Sequence, residues 1–125
     1  MKKVLVADDR TAGRELMRSV LERSGHAVFE ASNGQEAVVS ARQILPDLII
    51  LDLHMPELDG FGVLKELRGD ARFAATPIIA LTASAMHGDR EQALSAGFTS
   101  YIAKPVSLSA LRSEIQRLLG QVAAE

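Results

Sequence analysis

Leu48-Ile49-Ile50-Leu51-Asp52-Leu53-His54-Met55-Pro56 is the stretch that decides the fold. Four consecutive aliphatic residues that stop at an acid and a turn read as a strand buried on both faces, the pattern of a parallel sheet. Such a strand has no solvent face on which to place Asp52. The carboxylate must therefore stand at the carboxyl edge of the sheet, which is where open α/β sheets bind ligands, at a topological switch point.

Reading outward, Val4 to Ala7 is a second apolar run that ends on acids, Asp8-Asp9. From Thr11 the period becomes helical: Leu16, Met17, Val20 and Leu21 recur at three and four residue spacing, and Gly25 supplies a stop. Ala27 to Ala31 is a weaker strand interrupted by Glu30, as an edge position tolerates. Ser32 and Gln35 fit a capping box that opens a helix to about Gln43, with Ala37, Val38 and Ala41 inward. After Asp52, Pro56 and Asp59-Gly60 mark turns in a loop from Leu53 to Gly60. Phe61 to Leu67 is a short helix with Phe61, Val63, Leu64 and Leu67 mostly inward, followed by a polar connection through Gly69-Asp70.

Pro77 precedes a strand, Ile78 to Leu81, that runs into Thr82. Met86 to Ala96 is a helix whose apolar content is mostly Ala93 and Leu94, so loose attachment is expected. Ser100 to Ala103 is the last strand and Lys104-Pro105 its end. Leu108, Leu111, Ile115, Leu118, Leu119 and Val122 then form the clearest amphipathic stripe, capped by Ser107. Five strands alternating with five helices imply an α/β, doubly wound parallel sheet with helices on both faces, because parallel crossovers need helix-sized connections. A switch point between the first and third strands would gather Asp8, Asp9 and Asp52.

Composition narrows the function classes. The length of 125 residues fits one domain, expected to span 1–125. Fourteen Lys and Arg against sixteen Asp and Glu give a net charge of −2, which predicts no direct attraction to nucleic acid or an anionic membrane. With no cysteine there is no disulfide, thiolate nucleophile or Cys-ligated metal, which suits the cytoplasm. No apolar run approaches the roughly twenty residues of a membrane span.

The residues at the strand ends, Asp8-Asp9, Asp52, Thr82 and Lys104-Pro105, resemble those of the receiver domain of two-component response regulators, and the resemblance covers essentially the whole chain. Further matches are Met55-Pro56-Glu57-Leu58-Asp59-Gly60, Ala83 after the Thr, Tyr101 at the family's aromatic switch position, and Pro105, which is cis in the family. The resemblance implies a flavodoxin-like strand order 2-1-3-4-5. It also implies that Asp52 accepts a phosphoryl group, that Asp8, Asp9, Asp52 and the backbone carbonyl of His54 hold a divalent metal, and that Thr82 and Lys104 contact the phosphoryl oxygens. Thr82 and Tyr101 would form the switch, altering the surface of the fourth helix, fifth strand and fifth helix.

The chemistry accounts for the residue types. Two carboxylates about 4 Å apart repel by roughly 4 kcal/mol at an effective dielectric of 20, so three of them call for a cation. Oxygen-only ligands favour a hard ion, Mg²⁺ with Mn²⁺ as a substitute, over Zn²⁺. On this reading the chain is a phosphoacceptor, not an enzyme, that assists its own phosphorylation and dephosphorylation. Its donor would be a sensor histidine kinase or a histidine phosphotransfer protein, docking on Arg10, Gly13, Arg14, Met17 and the Pro105-Val106 loop, with core packing as the alternative for Met17. Arg14→Glu is expected to slow transfer from the kinase while sparing small donors. The His54 side chain is expected in solvent, and with Ser84 it occupies a position that tunes phosphoryl lifetime in the family.

Downstream, the resemblance implies a protein target and a monomer, with pairing on phosphorylation as the alternative. The chain ends shortly after the fifth helix, and a free-standing receiver without an output domain is the simplest expectation, with a receiver excised from a hybrid kinase or larger regulator as the equal alternative. Competing functions fit less well. A haloacid-dehalogenase-like Mg²⁺-dependent phosphohydrolase wants a second acid two residues beyond Asp52, where this chain has His54. A flavodoxin-like electron carrier needs a Ser, Thr and Gly-rich phosphate loop in place of Asp8-Asp9-Arg10. A phosphorylation-independent adaptor would keep the fold but has no need of all five strand-end residues.

Overall fold

A computed structural model describes residues 2–83 and 89–120. The elements run β1 (Lys3–Ala7), α1 (Thr11–Arg23), β2 (Ala27–Ala31), α2 (Gly34–Ile44), β3 (Leu48–Asp52), α3 (Gly60–Arg68), a 3-10 turn (Ala71–Phe73), β4 (Ile78–Thr82), α4 (Asp89–Ala96), β5 (Ser100–Ala103) and α5 (Leu108–Leu119). All strand pairs are parallel, in the order β2-β1-β3-β4-β5. The chain winds one way from β1 to β2 and the other from β3 onward, so the switch point lies between β1 and β3, as the sequence predicts.

Period-two alternation divides the core between the two faces of the sheet. Leu5, Ala7, Ile49, Leu51, Ile78 and Ala80 pack under α2, α3 and Ala93 of α4. Val4, Val6, Leu48, Ile50, Ile79 and Leu81 pack under α1 and α5. Every residue of β3 is buried, and each fully buried Leu or Ile contributes roughly 1.5–3 kcal/mol. Asp52 is tolerated there because it is the last residue of the strand.

Several local expectations shift. Leu16 and Leu108, read as inward, are 48% and 36% exposed; the burial of α1 is carried by Met17, Val20 and Leu21 instead. The cap of α2 is Asn33, whose side chain accepts from the Glu36 N–H at 2.8 Å. Glu36 in turn accepts from the Ser32 N–H at 2.7 Å and from its hydroxyl, which holds the Glu36 carboxyl below its ordinary value. The cap therefore sits one residue later than Ser32 and Gln35 suggest, and Glu36 reaches back past it to Ser32. The connection after α3 is not merely polar: Asp70 caps the 3-10 turn and Phe73 is fully buried. Ser107 caps α5 as expected.

α4 carries little apolar surface, with Ala93 buried and Leu94 38% exposed. Its carboxyl end is tied to α3, where both Arg68 terminal nitrogens and Nε supply donors and two of these reach the Gly97 carbonyl at 3.3 and 3.1 Å. The expected helix start at Met86, Ser84 and the last apolar residue of the α5 stripe, Val122, lie outside the described residues. No helix among the described residues is long and apolar enough to cross a membrane.

Candidate functional site

Parallel register brings the strand ends to one edge. Asp8 directly follows β1, Asp52 ends β3 opposite Leu81, Thr82 ends β4 opposite Ala103, and Lys104 follows β5. Asp8, Asp52 and Thr82 are buried polar residues at 1%, 5% and 0% exposure, whereas Asp9 is exposed. One carboxylate oxygen from each of Asp8, Asp9 and Asp52 lies within 4.8 Å of the others. Lys104 spans the gap between strands: its Nζ donates to Asp52 Oδ2 at 2.7 Å and to Asp8 Oδ2 at 3.0 Å.

Backbone donors fix the remaining oxygens. The His54 N–H donates to Asp52 Oδ1 at 2.8 Å and the Arg10 N–H to Asp8 Oδ1 at 3.0 Å. The loop after Asp52 folds back tightly, and a Cβ on Gly60 would stand 2.7 Å from the Asp52 carbonyl oxygen. Glycine is required for that approach. Gly13 clears space in the same way, since a Cβ there would stand 2.8 Å from Asp8 Oδ2.

Burial pushes the Asp52 carboxyl above its ordinary value, and the nearby Asp8 charge adds to this. The hydrogen bonds and charge of Lys104 and the His54 N–H oppose it without cancelling it. Burial would lower the Lys104 ammonium, but its bonds to Asp52 and Asp8 outweigh burial and hold it raised. Lys104 is thus a fixed cation at neutral pH. The acid cluster offers oxygen donors alone, with no imidazole or thiolate, and two of its three members are buried. That set fits a hard divalent cation, Mg²⁺ or Mn²⁺, better than Zn²⁺.

Of the other residues singled out in the sequence, Tyr101 is half-buried and packs against the cluster beneath α2 and α3, beside Ala80 of β4. The His54 side chain is exposed. Arg10, Gly13, Met17 and Pro105 line one groove of about 520 Å³ between α1 and the start of α5, next to Asp8 and Lys104. Met17 belongs to its floor, at 4% exposure, and is core more than docking surface.

Arg14 departs from the expectation of a docking residue. Its guanidinium turns to Glu30, with Nε 2.9 Å from Oε1, and to the Asp8 carbonyl, with Nη1 at 2.8 Å. Leu16 and Leu108, which their spacing assigns to the apolar stripes and not to a docking surface, rim the groove. Their signal is positional: each is the outermost apolar residue of its stripe, beside the strand ends.

Comparison with known proteins agrees with this geometry. The model of the response regulator receiver domain matches residues 4–116. The polar-differentiation response regulator DivK of Brucella anthropi is 38% identical over 119 residues, covering 95% of this chain and 97% of its own. The chemotaxis response regulator CheY4 of Vibrio cholerae superposes with a TM-score of 0.89 at 32% identity, over 95% of this chain and 99% of that one. The receiver domain of a sensor histidine kinase from Pseudomonas aeruginosa PAO1, solved with a magnesium ion coordinated in its active site cleft, matches with a TM-score of 0.87 at 35% identity, over 95% and 98% of the two chains.

Proposed function

This chain belongs to the response regulator receiver domain family, and we propose that it is a phosphoacceptor switch that takes a phosphoryl group from phosphohistidine onto Asp52 with Mg²⁺. The observation that carries the reading is the Asp52 carboxylate held between Lys104 Nζ and the His54 N–H, beside Asp8 and Asp9.

A carboxylate oxygen of Asp52 forms the O–P bond as the N–P bond to the donor imidazole breaks, and the electron pair of that bond stays with the imidazole. Lys104 favours the ionised, nucleophilic form of Asp52 and presents a cation to the phosphoryl oxygens. The Thr82 hydroxyl, at the end of the neighbouring strand, is the second donor on that side. Asp8, Asp9, Asp52 and the His54 carbonyl would hold Mg²⁺, which when bound neutralises phosphoryl charge.

The product is an acyl phosphate that adds up to two negative charges and three acceptor oxygens at a buried edge. Lys104 and Thr82 gain partners there, Tyr101 changes its packing, and the face made by α4, β5 and α5 changes with them. The sparse apolar contact of α4 suits an element that a few kcal/mol re-bias. Donors are a sensor histidine kinase or histidine phosphotransfer protein seated on the groove of Arg10, Pro105, Leu16 and Leu108, and the changed face meets a protein target. In this role the chain assists its own phosphorylation and dephosphorylation and is not a turnover enzyme.

The test is transfer from a radiolabelled phosphohistidine protein in Mg²⁺. Label should pass to the wild type and not to Asp52→Asn. Equal labelling of both would place the acceptor elsewhere.

A further inference from the structure

We infer that Arg14, anchored by Glu30, is a positioning residue that fixes the Asp8–Asp9 peptide and thereby sets the divalent-cation affinity of the site. The inference rests on the phosphoacceptor reading and extends it to residues outside the acid cluster.

Glu30 lies on β2 opposite Val6 and shares a strand face with Val28, the face that α1 covers. A carboxylate in that place needs compensation. Two guanidinium groups from α1 supply it, Arg14 at Oε1 and Arg18 at Oε2. The Arg14 and Glu30 side chains are only 15% and 22% exposed, so this pair is largely withdrawn from solvent. Arg18 is 43% exposed and spends its other donors on Glu22 and the Val28 carbonyl.

Arg14 alone reaches the site. Its Nη1 donates to the Asp8 carbonyl, which is the oxygen of the peptide joining Asp8 to Asp9. The Asp8 N–H is bound to the Ala31 carbonyl at 3.1 Å and its carboxylate to the Arg10 N–H and Lys104, so every polar group of Asp8 is tied down. The Asp9 carboxylate makes no hydrogen bond among the described residues. What holds Asp9 at the site is therefore its backbone, through the peptide that Arg14 binds.

Charge points the same way. An uncompensated guanidinium beside a divalent-cation site would repel the ion, whereas the Glu30 carboxylate at 2.9 Å neutralises Arg14 while leaving Nη1 free to bind the carbonyl. Partners that orient metal-ligating residues commonly change metal affinity by 10–100-fold when removed. A carbonyl once removed from the ligating oxygens belongs at the low end of that range.

The experiment is calorimetric titration of MgCl₂ into wild type, Asp9→Asn, Arg14→Gln, Glu30→Gln and Arg18→Gln, with urea denaturation of each. Arg14→Gln and Glu30→Gln should weaken Mg²⁺ binding by about tenfold, and Arg18→Gln should leave it unchanged despite a comparable loss of stability. With acetyl phosphate, the two affected variants should need more Mg²⁺ for half-maximal phosphorylation yet approach the wild-type rate at saturation. Should Arg14→Gln fail to fold, Glu30→Gln carries the same test. Wild-type affinity in Arg14→Gln and Glu30→Gln, with binding abolished in Asp9→Asn, would reduce the Arg14–Glu30 pair to a helix-to-strand staple and overturn the inference alone. No saturable binding by the wild type would overturn the phosphoacceptor reading and the inference together.

Discussion

Replacing Lys104 with Met removes the cation that joins two buried carboxylates while keeping most of the aliphatic stem. The contacts at 2.7 and 3.0 Å correspond to gross attractions of about 6 and about 5.5 kcal/mol at an effective dielectric of 20. Desolvation of the ammonium offsets most of this, and the side chain retains 22% exposure. The net loss on breaking the pair is accordingly about 3 kcal/mol, the low end for a buried pair deprived of one partner. In metal-free buffer that lowers the urea midpoint by about 1.5–2 M.

The loss has a pH signature. Asp52 is raised by burial, and a carboxyl raised in the folded state favours folding at low pH and loses that contribution as pH rises through its folded value. Lys104 opposes the rise, so Lys104→Met pushes Asp52 further up and widens the window above about pH 4 over which stability falls. Urea denaturation at pH 5 and pH 8, with and without Mg²⁺, checks this. The variant should be penalised more at pH 8, and Mg²⁺ should restore more stability to it than to the wild type. A penalty equal at both pH values and insensitive to Mg²⁺ would refute the argument.

Other perturbations reach different parts of the molecule. In Gly34→Ala the new Cβ would stand 1.8 Å from the Leu58 carbonyl oxygen. The gain in helix propensity of about 1 kcal/mol is then outweighed by a backbone clash of about 3 kcal/mol, a net fall seen in thermal denaturation. His26 is buried with Nδ1 unpartnered, and burial, reinforced by the amino terminus and Lys2 against Asp47, holds it below 6.5. A depressed His is most stabilising when neutral, so stability falls as pH drops below about 6.5, and His26→Leu should flatten the pH 5–7 slope in urea midpoints. Leu108→Glu at the groove rim should slow transfer from a phosphohistidine protein by about tenfold, the cost of losing roughly 1.4 kcal/mol of apolar contact, and leave the acetyl phosphate rate unchanged in parallel rate measurements.

Most of the architecture was legible because fully buried parallel strands leave unbroken aliphatic runs, as at Val4 to Ala7, Leu48 to Leu51 and Ile78 to Leu81. Their polar terminators, Asp8, Asp52, Thr82 and Lys104, are conspicuous for the same reason. What escaped depends on tertiary pairing that periodicity does not encode. Glu30 reads as a flaw in a strand until Arg14 and Arg18 are seen to bracket it. Arg14 reads as a docking residue, yet its guanidinium turns inward to the Asp8 carbonyl six residues earlier, outside the three and four residue spacing of helical neighbours. Leu16 fits a helical stripe by spacing but falls beyond the sheet edge, where a groove and not a strand lies beneath it. Phe73 sits in a three-residue turn too short to show any period.

The measurement that bears most directly on the central claim is intact mass after incubation with acetyl phosphate, with and without Mg²⁺, on the wild type and Asp52→Ala. The account predicts one added phosphoryl group in the wild type, dependent on the metal and absent from the variant. A folded wild type that gains no mass, and that also fails to bind beryllofluoride in a parallel titration, would contradict it.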